Sequence, residues 1–148
     1  MNKKSQKERS AFFKTIIIGA DFSKHSKKVL KNAQDMAKKW PVKLVLAHVA
    51  GIETLSLYPY GYPSPSAMPG SEEMAKELIK FYKLEKAKNI QVVVQVGDPV
   101  SGLIKIAKKF NKPLIFVGQT SKGVFSRLAL GSVSKSLALK SPVPVWIQ

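Results

Sequence analysis

Cysteine is absent from the 148 residues, which excludes a disulfide framework and a cysteine-ligated zinc site and fits a reducing compartment. Acid is scarce: nine Asp and Glu stand against 25 Lys and Arg, a formal net charge of +16 at pH 7. Arginine is scarcer still, with Arg9 and Arg127 the arginines of the chain, and no stretch interleaves basic residues with stacking aromatics. Sequence-specific nucleic-acid recognition relies on arginine forks and stacked bases and is therefore disfavoured. The lysines recur on what read as outer helix faces, so a solvated lysine surface with nonspecific contact to polyanions is expected. No uninterrupted apolar run approaches the roughly 18 residues of a membrane span. The basic opening "MNKKSQKERSAFF" lacks the apolar core and cleavage site of a secretory signal. The expectation is a cytoplasmic protein without membrane contact, with residues 1–13 a basic flexible tail before a single domain over 14–148.

What is present alternates between two periodicities. "TIIIGAD" is a short β-branched run, read as a strand buried on both faces. In "FSKHSKKVLKNAQDMAKKW", Val29, Leu30, Ala33, Met36, Ala37 and Trp40 recur at helical spacing; Ser23 or a neighbouring hydroxyl caps the helix and Pro41 stops it. "VKLVLAHVA" is a second apolar strand, so the chain opens as strand, helix, strand. Residues 51–70, dense in Pro, Gly and Tyr, read as a long surface loop and a candidate lid. A second helix is predicted across "SEEMAKELIKFYKLEKAK", opened by Ser71 and two glutamates, then a third strand over "NIQVVVQV". In "GDPVSGLIKIAKKF", Asp98 caps and Pro99 takes the first helical position. "KPLIFVG" is the fourth strand, a helix is predicted from about Ser132 to Lys140, and "SPVPVWIQ" ends in a fifth strand with Pro144 at an edge or interface.

Alternating strands and helices predict a three-layer α/β domain with a mostly parallel sheet. Ligands in such sheets bind at the carboxyl ends of strands, near the switch in strand order. Gly19 to Asp21, the end of "LVLAHV" and Val117 to Gly123 then share one rim. Neither GxGxxG nor GxxxxGK[ST] occurs, so a phosphate on this rim would be held by some other loop.

"IIIGADFS", "LVLAHV", "VGDPVSGLIKIA" and "LIFVGQTSKGVFSRLALGSVSKSLALKSPVPVWI" together resemble the universal stress protein family, in order and spacing, over the whole chain beyond the tail. The resemblance implies a doubly wound domain of the adenine nucleotide alpha hydrolase-like type, with a five-stranded parallel sheet of order 3-2-1-4-5. It also implies a homodimer through the last strand, by way of Val143, Val145 and Ile147. Family members that bind ATP carry G-x-x-G-x9-G-[ST] after the fourth strand and an aspartate at the end of the first. Gly118 matches the first glycine, and Gly131 with Ser132 the closing pair, but Ser121 stands at the second glycine. The site that the resemblance implies comprises Gly19, Asp21, Val49, Val117, Gly118, Ser121, Gly131, Ser132 and Val133, for ATP or AMP, with Mg only alongside ATP. Its alternative is the same fold without nucleotide, a dimeric interaction protein that acts through dimer contacts and an unknown protein partner, because a serine side chain replaces the bare backbone that wraps phosphates.

The remaining candidates have simpler readings. Asp98 is explained by capping. His48, a lone imidazole, reads as structural, and His25 as a solvated residue on the lysine side of the first helix. Trp40 reads as a core anchor and Trp146 as an interface anchor. No nucleophile–base–acid set, carboxylate pair or metal cluster stands out, so catalytic turnover is not predicted beyond a weak ATPase at most.

Overall fold

The computed structural model describes residues 12–51, 71–119 and 130–148. Most of the predicted tail, residues 52–70 of the long loop, and Ser121 with its neighbours Lys122 and Gly123 lie outside the described residues. Ile16, Ile17 and Ile18 are fully buried in the first strand, β1 (Thr15–Gly19), as a β-branched run covered on both faces must be. The chain continues through α1 (Lys24–Lys39), β2 (Lys43–Ala50), α2 (Ser71–Phe81), β3 (Ile90–Val96), α3 (Pro99–Ala107), β4 (Pro113–Val117), α4 (Ser132–Lys140) and β5 (Val145–Ile147). All strands pair in parallel, in the order β3-β2-β1-β4-β5, which is the predicted 3-2-1-4-5.

The pleat sends alternate residues to two separate cores. Ile16, Ile18, Leu44, Leu46, Leu114 and Phe116 pack with Val29, Leu30 and Ala33 of α1 and with Leu78 and Tyr82 around α2. Ile17, Val45, Val49, Ile115 and Val117 pack on the other face with Leu103, Ile106 and Ala107 of α3 and Leu137 of α4. Truncating a fully buried residue such as Ile17 to alanine costs about 2–5 kcal/mol by this geometry. Among the described residues no helix is long and apolar enough to cross a membrane.

Local signals set the helix ends. Ser23 caps α1 by accepting the Ser26 N–H at 3.0 Å, and the helix gives way at Trp40, before Pro41. Asp98 accepts the Ser101 N–H at 2.8 Å, with Pro99 at the start of α3. The second helix is shorter than its sequence pattern: it ends at Phe81, and Lys83 takes a left-handed φ of 54°. Its apolar spacing continues past that point because Tyr82 and Leu84 are still buried, now from a turn. Trp40 is half-buried rather than central, packed edge-on against Phe13 at 5.8 Å. Phe13, at the end of the segment read as a tail, thereby belongs to the packed domain.

Candidate functional site

The strand order reverses beside β1, so β2 leaves on one side and β4 on the other, opening a crevice at their carboxyl ends. A cavity of about 170 Å³ lies there. Gly19, Asp21, Val49, Val117, Gly118, Gly131, Ser132 and Val133 all line it. The ninth predicted residue, Ser121, lies outside the described residues.

Three kinds of surface meet in this cavity. Asp21 is exposed just past β1, and its Oδ1 accepts the Ser23 N–H at 3.0 Å, which fixes the carboxylate at the mouth. The floor is apolar, from Ala47, Val49, Leu103 and Val117. Its far wall is the first turn of α4, whose N-cap is Gly131 with no side-chain cap bond. The Gly131 N–H itself donates to the Gln119 carbonyl at 2.6 Å. An uncapped helix start keeps unpaired N–H groups and the positive end of the helix dipole, a combination that favours an anion. Ser134 donates from its hydroxyl to the Gly118 carbonyl, tying that turn to the end of β4.

Close approach explains two of the glycines. A Cβ on Gly118 would stand 2.5 Å from His25 Cδ2, and one on Gly102 would stand 2.8 Å and 2.9 Å from the two Val49 methyls. Gly118 thus lets the ring of His25 reach the cavity, and Gly102 lets α3 press against the floor residue Val49.

His25 corrects its sequence reading: it is neither solvated nor on the lysine face. It lines the cavity, and its Nε2 donates to the Gln148 carbonyl at 3.1 Å. The signal was available, because His25 lies one and two turns before Val29 and Ala33 on the buried stripe of α1. His48 is held as expected, with Nδ1 donating to the Ala20 carbonyl at 2.7 Å.

Behind Asp21 the backbone is held in an uncommon conformation. Phe22 has a φ of 59°, a left-handed geometry that a bulky residue keeps only when its surroundings demand it. Those surroundings are the Tyr82 hydroxyl, which accepts the Phe22 N–H at 3.2 Å, and the rings of His48 and Phe81 at 5.1 Å and 5.3 Å. The Ser26 hydroxyl is hydrogen-bonded with the Tyr82 hydroxyl at 2.6 Å and lies 3.0 Å from the Ser23 carbonyl. Burial pushes the Tyr82 phenol above its ordinary pKa, while the hydrogen bonds with Ser26 and Phe22 pull the other way. No sequence pattern marked Tyr82 as anything but part of an apolar face.

Known proteins share both sequence and shape with this chain. A putative universal stress protein of Staphylococcus aureus (strain USA300) is 28% identical over 140 residues, covering 91% of this chain and 83% of that protein. Among solved structures, a universal stress protein in complex with cAMP superposes with a TM-score of 0.65 at 21% identity, over 93% of this chain and 97% of that one. The universal stress protein from Archaeoglobus fulgidus in complex with dAMP does so with a TM-score of 0.58 at 18% identity, over 92% and 98%. At these identities the structures speak for the fold. The family model of the universal stress protein family matches residues 12–147, nearly the entire length, and the chain belongs to that family.

Proposed function

We propose that the protein is an adenine-nucleotide-binding regulator that takes AMP or ATP in the cavity at the carboxyl ends of β1 and β4. The observation that carries this reading is the convergence, in one cavity, of the Asp21 carboxylate, an apolar floor and the uncapped start of α4. A nucleotide presents the same three chemistries: ribose hydroxyls that donate to a carboxylate, a flat base for an apolar floor, and phosphates for free N–H groups. Proteins of the same family and fold that bind cAMP and dAMP support it. Any magnesium would arrive with ATP rather than on a dedicated protein site.

The reading is of binding rather than turnover. Both imidazoles at the cavity are committed to backbone carbonyls, His25 to Gln148 and His48 to Ala20, which suits them to hold shape rather than to shuttle protons. The homodimer forms through the outer edge of β5, where Trp146 is 50% exposed. The working compartment is the cytoplasm.

Titration calorimetry of the full chain with AMP and with ATP at low salt is the test. Binding weakened at least about tenfold by Asp21→Ala, or about 1.4 kcal/mol, is the expected result. Absence of heat with both nucleotides, together with no adenine nucleotide carried through purification by mass spectrometry, removes the proposal. A specific sequence feature favours the nucleotide-free alternative: Ser121 stands at the second glycine of the phosphate loop. If Ser121→Gly gains binding that the unaltered chain lacks, that alternative takes its place.

A further inference from the structure

The turn that carries Asp21 is held from outside the cavity. Asp21 Oδ1 accepts the Ser23 N–H at 3.0 Å across Phe22, so the carboxylate closes a loop of three residues. Phe22 sits at the centre of that loop with its left-handed φ of 59°. Returning it to ordinary β or α values moves the Ser23 N–H, and the carboxylate either loses that donor or turns with it. Glycine, asparagine and aspartate take the left-handed conformation at little cost, and phenylalanine does not. Its neighbours must therefore supply the hold.

Tyr82 supplies it at two points. Its hydroxyl accepts the Phe22 N–H at 3.2 Å and is hydrogen-bonded with the Ser26 hydroxyl at 2.6 Å. The Ser26 N–H is in turn the donor to the Ser23 cap, so one phenol oxygen holds the stretch from Phe22 to Ser26 at both ends. Asp21, Ser23 and Ser26 line the cavity, whereas Tyr82 packs behind them in the core with α1 and α2, 6% exposed. The tyrosine is itself anchored: its N–H donates to the Leu78 carbonyl at 2.9 Å, and its ring meets Phe81 edge-on at 4.9 Å. Burial pushes the phenol above its ordinary pKa and the Asp21 charge adds to the rise, so hydroxyl and carboxylate lie within electrostatic reach of each other. Ala20, before the turn, is pinned separately, its N–H on the Ala47 carbonyl at 2.8 Å and its own carbonyl on the His48 ring at 2.7 Å. The adjustable part of the turn is the part that Tyr82 holds.

We infer that Tyr82 is a positioning residue of the nucleotide site: through Phe22 and Ser26 it holds the Asp21 carboxylate where the ribose hydroxyls meet it. This role rests on the reading of the cavity as an adenine-nucleotide site, and Tyr82 fills it without touching the ligand. A carboxylate on a preformed turn binds without first having to be ordered. Released from the hydroxyl, the turn spends part of its time with Phe22 at ordinary φ. Apparent affinity then falls in proportion to the competent fraction that is lost.

Titration calorimetry of the full chain with AMP, and with dideoxy-AMP lacking both ribose hydroxyls, tests this. Tyr82→Phe keeps the ring and should weaken AMP about three- to tenfold, as when the competent turn falls to about a third to a tenth of the population. Dideoxy-AMP should weaken less than about twofold, because it offers Asp21 no hydroxyl, and so should AMP when Tyr82→Phe is added to Asp21→Ala. Leu114→Val truncates the same core at the amino end of β4, away from the cavity, and should leave AMP at the parent's affinity. In the ligand-free chain, Tyr82→Phe should speed amide hydrogen exchange at Phe22, and Leu114→Val should not. The role is overturned if Tyr82→Phe weakens both ligands equally, if its effect adds in full to that of Asp21→Ala, if Leu114→Val weakens AMP as much, or if exchange at Phe22 is unchanged. Weaker AMP binding in Asp21→Ala with parental binding in Tyr82→Phe overturns this role alone. A parent that binds neither AMP nor ATP overturns the nucleotide reading and this role with it.

Discussion

The imidazole of His25 ties the first helix to the last strand's end: its Nε2 donates to the backbone oxygen of Gln148, 123 residues away, at 3.1 Å. The same carbonyl accepts the Gln119 N–H at 2.7 Å, and the Gln148 N–H returns to the Val117 carbonyl at 3.0 Å. One ring in the first turn of α1 therefore braces the last residue of the chain against the end of β4, beside the cavity.

That brace makes Gly118 intolerant of a side chain. Gly118→Ala would force its Cβ to within 2.5 Å of an imidazole that is itself hydrogen-bonded and cannot swing away freely. A loss of about 1–3 kcal/mol is expected in chemical denaturation, the usual cost of overpacking. His25→Ala alone should cost about 1 kcal/mol for the lost hydrogen bond. The double variant should be more stable than the sum of the two losses, because removing the ring removes the clash. Strict additivity would show that the ring and the glycine do not press on each other.

Tyr82→Phe keeps the ring and deletes the hydroxyl that supports both Phe22 and Ser26. The Phe22 N–H loses its acceptor, for an expected cost of about 1–3 kcal/mol. The phenol's pKa is raised in the folded state, so its contribution is fully present below pH about 10 and is lost as pH rises through the folded value. Stability measured from neutral pH upward should fall in the parent and lack that component in Tyr82→Phe. A parallel decline in the two proteins would contradict the assignment.

Asp98 predicts the opposite limb. The Ser101 N–H, followed by the Ser101 hydroxyl, holds its carboxyl below the ordinary aspartate value. The stabilisation is present above pH about 4 and is lost as pH falls through the lowered folded value. Asp98→Asn retains an N-cap oxygen without the charge, so it should keep most of the parent's stability at neutral pH while losing this acid dependence. Asp98→Ala should lose both. An acid limb of unchanged size in Asp98→Asn would place its origin elsewhere.

The edge of β5 can be blocked without disturbing its pairing to β4. The Pro144 carbonyl accepts the Ile115 N–H at 2.9 Å and the Gln148 N–H donates to Val117, so even-numbered residues face β4 and the N–H groups of Val145 and Ile147 face outward. Val145→Pro removes one outward donor. If the protein pairs through this edge, light scattering should move from twice 16.3 kDa towards 16.3 kDa with the helical signal preserved. A dimer that survives the substitution would rule out that edge as the interface.

Sequence by itself determined the order of the elements and where the rim at the strands' carboxyl ends lies. Both depend on local rules: β-branched runs such as "TIIIG" demand burial on two faces, and a capping residue followed by apolar helical spacing marks where a helix starts. The family spacing from Gly118 to Gly131 added which residues of the rim belong together. What tertiary structure decided is whatever depends on a partner far along the chain. His25 looked like one more polar residue among lysines because its acceptor lies at the far end of the sequence. Tyr82 looked apolar because the backbone that it supports belongs to another element, 60 residues earlier. A pattern of neighbours encodes which face a residue takes, whereas the partner on that face is chosen by how the strands align.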